Sequence, residues 1–98
     1  MQSITVQGRR WFRKSAGNTY SSAVVLIDGA IAFQVPKQYG YGDYYLQAAF
    51  EELDRRQVLD PPREQHANGS SEPPWRWAER AGIVLHYSAT NVARERDL

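Results

Sequence analysis

The best functional candidates in this chain are cations set among aromatic rings. The run Arg9-Arg10-Trp11-Phe12-Arg13-Lys14 interleaves basic and aromatic side chains. Cations track phosphates while flat rings stack on bases, so this pattern suits a nucleic-acid strand. Arginine and tryptophan also anchor protein interfaces. The competing reading buries Trp11 and Phe12 in the core and leaves the cations as a solvated edge that discourages strand pairing. A second aromatic set is formed by Tyr20, Tyr39, Tyr41, Tyr44 and Tyr45. Tyrosine offers large contact area at low entropic cost. At least two of these rings are expected to be partly buried with the hydroxyl in water.

Catalytic chemistry is poorly provided for. There is no cysteine, which removes thiol nucleophiles, thiolate metal ligands and disulfides. His66 lies near Asp60 and Glu64, a spacing that matches no metal signature. His86 sits between Leu85 and Tyr87, and spacing supplies it with no serine or aspartate partner. The stretch Tyr39-Gly40-Tyr41-Gly42-Asp43-Tyr44-Tyr45 invites a phosphate-loop reading. That pattern needs a third glycine where Tyr45 stands, and Asp43 would repel a phosphate. The glycines are better read as a sharp turn. The sequence therefore leads to no catalytic residue, no metal and no cofactor. A small hydrolase or nuclease using His86 is kept as a lesser alternative.

These residues must be held by a small α+β domain spanning residues 1–98. Ile4 to Lys14 alternates apolar and polar side chains as a strand does. Strict alternation puts Ile4, Val6 and Phe12 on one face and Arg9, Trp11 and Arg13 on the other. A bulge at Gly8 would swap the later assignments. Ser15 to Asn18 reads as a turn, and Thr19 to Ile27 as a central strand. Asp28-Gly29 is a strong hairpin signal, followed by a third strand over Ala30 to Val35 that Pro36 should end. The result is a three-stranded antiparallel meander.

Asp43 is placed to cap the next helix. Leu46, Ala49, Phe50 and Leu53 form its apolar stripe, and the helix is expected to reach about Val58. Residues 60–74 form a long proline-rich loop, expected to be mobile. Prolines 73 and 74 then open a short helix that Gly82 closes. Ile83 to Tyr87 is a fourth strand, and residues 90–98 are polar enough to fray.

Composition narrows the partners. Residues 1–42 carry Arg9, Arg10, Arg13, Lys14 and Lys37 against Asp28 alone, while residues 43–60 are acidic, and the whole chain has net charge +1. Acidic mimicry of DNA is thereby disfavoured, and a local basic patch is favoured. No apolar run approaches the length of a membrane span, and Met1-Gln2-Ser3-Ile4 shows no signal pattern. A cytoplasmic protein, monomer or homodimer, is expected.

Three runs carry a resemblance: Arg10 to Ser15, Gly17 to Ser21, and Tyr39 to Gln47. Together they resemble a group of small proteins encoded by bacteriophages and other bacterial mobile elements. The likeness covers roughly the first half of the chain. It implies no catalytic residue, and where those proteins often carry a histidine after Thr-Tyr, this chain has Ser21. It implies a host-cell setting in which small proteins bind and block host components, as anti-CRISPR proteins do. The function expected on this basis is non-enzymatic. The chain would bind and inhibit or regulate a host protein or ribonucleoprotein complex, such as a CRISPR effector. Contacts are expected from Arg9, Arg10, Trp11, Arg13, Lys14, Tyr20, Tyr39, Tyr41 and Tyr44. Direct nucleic-acid binding by the first strand is the alternative.

Overall fold

Alternation in the first half of the chain builds the meander expected of it. In the computed structural model, which describes residues 1–98, β1 (Ser3–Arg13), β2 (Asn18–Ile27) and β3 (Ala30–Tyr39) pair antiparallel in turn. Asp28 and Gly29 form the two-residue turn between β2 and β3, both with positive φ (51° and 84°), as the twist of a tight hairpin requires. The Asp28 carboxylate accepts the backbone N–H groups of Gln2 and Ser3 at 2.6 and 2.9 Å. Those bonds, the Gln2 one foremost, hold its pKa below the ordinary value.

β1 runs without a bulge at Gly8, pairing residue by residue from Ile4–Ile27 to Arg13–Asn18. Strict alternation therefore holds. Gly8 is needed for close approach: a Cβ there would run into the ring of Tyr45. The bulges lie in β3 instead, at Ala32 and at Pro36–Lys37, where two residues oppose Ser22 alone. Pro36 does not end β3, which continues to Tyr39. β3 is an edge strand, so the N–H that Pro36 lacks is one the ladder does not need. Bulges and a proline also keep such an edge from pairing with other chains.

The helix α1 (Tyr44–Arg55) buries Tyr45, Leu46, Ala48, Ala49, Phe50 and Leu53. These close over Ile4, Val6, Ala23, Val25, Phe33 and Val35 to make the core. Burying Phe50 or Leu53 contributes about 2 kcal/mol each by apolar transfer. Two expectations about α1 need correction. Asp43 occupies the N-cap position but its side chain makes no capping bond. Only its carbonyl is engaged, accepting the Leu46 N–H at 2.9 Å. The helix also stops at Arg55 rather than near Val58, because Gln57 turns into the left-handed region at φ 56°.

Residues 60–73 are tied down by two buried charges. Arg63 donates in a forked ion pair to Asp54 on α1 and, at 3.0 Å, to the Glu72 carbonyl. Glu72, 2% exposed, accepts from Arg80 at 2.7 and 3.0 Å and from the Glu64 N–H at 3.1 Å. α2 (Pro74–Ala81) starts with proline in its first turn and ends at Gly82 in the left-handed conformation, φ 71°. Its Trp77 is fully buried. The ring meets Phe50 edge to face at 5.8 Å, and the indole N–H donates to the Pro61 carbonyl at 2.6 Å.

The fourth strand, β4 (Val84–Val92), lies beside β1 and runs parallel to it. The sheet is therefore mixed, in the order β3-β2-β1-β4. Running from β1 all the way round to a parallel neighbour needs a long crossover, and α1 and α2 supply it. β4 extends five residues beyond the expected strand end at Tyr87, and a short 3₁₀ turn, Glu95–Asp97, follows it. No helix is long and apolar enough to cross a membrane.

Candidate functional site

Register gathers the expected contact residues at one end of the sheet. Trp11 on β1 lies opposite Tyr20 on β2 and Val92 on β4, and Tyr20 lies opposite Tyr39 on β3. Four strand ends thus meet where the basic residues of β1 are found. Alternation along β1 then divides them between the two sides of the sheet.

On the side away from the helices stand Arg9, Trp11, Tyr20 and Tyr39. Trp11 and Tyr20 stack with centroids 5.8 Å apart, and Tyr39 meets Tyr20 edge to face at 5.7 Å. The bulge at Pro36–Lys37 turns Lys37 over these rings, 4.6 Å from the Tyr20 centroid and 5.9 Å from that of Trp11. Lys37 also pairs with Glu95 at 3.2 Å, and Arg9 donates to the Asp97 carbonyl at 3.5 Å. The segment after β4 therefore crosses this side of the sheet, with Leu98 half-buried against it. Arg13 is exposed and donates to the Ser15 hydroxyl at 3.3 Å.

On the helix side, Arg10, Phe12 and Lys14 reach past the first turn of α1. Together with Tyr41, Thr19 and Asn91 they line a cleft of about 590 Å³. Its rings are free: Phe12 is 55% exposed and Tyr41 75%. Two cations and no carboxylate face it. Arg10 is fixed by a bond from Nη1 to the Gly42 carbonyl, 3.2 Å. Its Nε is buried and has no hydrogen-bond partner. A buried N–H without an acceptor is costly, and the guanidinium is held in place by its Nη1 bond alone.

The tyrosines divide cleanly. Tyr45 is buried beneath Gly8. Burial, reinforced by the nearby Asp43 charge, pushes its phenol pKa up. Tyr44 is half-buried against Gly40 and packs on the core. Tyr39 and Tyr41 are exposed. The joint is a turn sealed by the later two rings and flanked by the earlier two.

His86 is exposed on the outer strand β4, opposite Thr5. His66 is exposed in the loop, and its backbone N–H donates to the Ser70 carbonyl at 2.8 Å. The two histidines lie apart from the basic and aromatic end. Lys37, Thr19 and Asn91 were not singled out from sequence. Only the bulge brings Lys37 to the rings, and only the parallel pairing of β4 brings Asn91 to Arg10.

Comparison with protein-family models, with curated proteins and with solved structures finds no match for this chain.

Proposed function

We propose that this chain is a non-enzymatic binding protein that docks on a host protein or ribonucleoprotein machine and inhibits or regulates it. A CRISPR effector is the machine that the mobile-element resemblance favours. The observation that carries the reading is the convergence of strand ends. Arg9, Arg10, Trp11, Phe12, Arg13, Lys14, Lys37, Tyr39 and Tyr41 all lie at one end of the sheet. Such a surface combines ring area for contact with cations that steer an acidic or phosphate-bearing partner into place.

Arg9 and Arg13 are the cations to remove first, since both are exposed and neither supports the core. The double variant Arg9→Ala/Arg13→Ala is expected to unfold at the same urea midpoint as the parent chain. It is also expected to lose at least tenfold in capture of its partner from a lysate of bacteria carrying defence systems. Undiminished capture by a folded double variant would overturn the reading.

A further inference from the structure

We infer that the cleft between the end of β1, the end of β4 and the Tyr41–Gly42 turn is a single-stranded nucleic-acid site. It takes one unstacked base between Phe12 and Tyr41 and the adjoining phosphate on Arg10 and Lys14. This inference rests on the reading of the chain as a binding protein and names the chemistry that its surface recognises.

Four observations lead there. The cleft measures about 590 Å³, within the range of pockets that hold small organic groups. Its two rings are exposed and come from different segments, one from β1 and one from the turn before α1. Base stacking on such rings tolerates any base, because every base has a flat face. The charge facing the cleft is wholly positive, from Arg10 and Lys14. Finally, the Nη1 bond to the Gly42 carbonyl holds Arg10 at the cleft wall, so that its charge is already placed to attract a phosphate oxygen. Thr19 and Asn91 add a hydroxyl and an amide at the wall, suited to a sugar hydroxyl or a base edge.

A duplex fits this site badly, because its bases are stacked inside and unavailable to the rings. An acidic peptide would satisfy the cations but leave Phe12 and Tyr41 in water. A single strand uses both features.

The test is fluorescence anisotropy of the whole chain with labelled oligothymidine and oligouridine, each of about ten nucleotides, in about 50 mM salt. Binding of at least one strand is expected, and tighter than that of the matching duplex or of polyglutamate. Phe12→Ala and Tyr41→Ala are each expected to weaken it about tenfold or more. Lys14→Ala is expected to flatten the slope of log affinity against log salt by about 0.7. All three positions are exposed, and unchanged urea midpoints will show that folding is intact. Absence of binding to both strands would overturn the inference, as would equal binding of duplex or polyglutamate, or full affinity in the Phe12→Ala/Tyr41→Ala double variant. The broader docking reading fails separately. If Arg9→Ala/Arg13→Ala abolishes lysate capture while the parent chain ignores both oligonucleotides, the cleft inference falls and the docking reading stands.

Discussion

Gly8 shows how a single residue positions the basic and aromatic end of the sheet. It sits mid-strand, where a side chain would normally pack, and the Tyr45 ring fills that space. This contact presses the first turn of α1 against β1, so that Arg10 and Phe12 emerge just beyond it. Gly8→Ala is expected to destabilise the fold by about 1–3 kcal/mol, because the added methyl has only a buried ring to displace. Gln7→Ala, at an exposed neighbouring position, should change stability by under about 0.5 kcal/mol. Urea unfolding of the two variants checks the difference, and a neutral Gly8→Ala would refute the packing role. The reason for this glycine could not be read from the sequence. A glycine in a strand signals a bulge or a close approach alike, and only the three-dimensional position of Tyr45 separates them.

Among the elements, the segment between α1 and α2 is the least predictable and the most dependent on charge. Its prolines and polar residues read as a mobile loop, yet Arg63 and Glu72 are both buried in it. Nothing in local composition distinguishes a buried arginine from a solvated one; the partners Asp54 and Arg80 lie on the flanking helices. The bond from Arg80 is the main reason that Glu72 keeps a lowered carboxyl pKa. The sign of the pH effect follows from that. A depressed folded value means that the contribution of ionised Glu72 is complete above the ordinary glutamate range of about 4.3 and is lost as pH falls through the lowered value. Glu72→Gln is therefore expected to cost about 1–3 kcal/mol at neutral pH. It should also reduce the loss of stability on acidification below about pH 4. Chemical denaturation as a function of pH checks both, and an unchanged acid limb in the variant would contradict the assignment. By contrast, the elements themselves were legible. The alternation of β1, the Asp28-Gly29 turn, the α1 stripe and the proline-opened α2 each have a local cause and each formed. What local patterns could not supply was the direction of β4, because a parallel pairing leaves no turn signal next to the strand it joins.

At the scale of the molecule, the sheet carries helices on one side and exposes a basic and aromatic end. Charge asymmetry announced that end, since five of the cations precede residue 43. It did not announce the division of that end into a ring stack on one side and a cleft on the other. Strict alternation makes Trp11 and Phe12 point opposite ways, so the two rings serve different surfaces. The stack is already occupied by Lys37, itself paired with Glu95. The cleft has free rings and is lined by two cations with no carboxylate facing them, which makes it the more available of the two.

The proposed cleft site is tested most directly by following the backbone amide NMR signals of the chain as a short oligothymidine of about ten nucleotides is added. Shift changes are expected to concentrate at residues 10–14, 19, 41–42 and 91–93, which surround the cleft. Changes confined to the outer face of α1 or to residues 60–73, or none at all, would contradict the account.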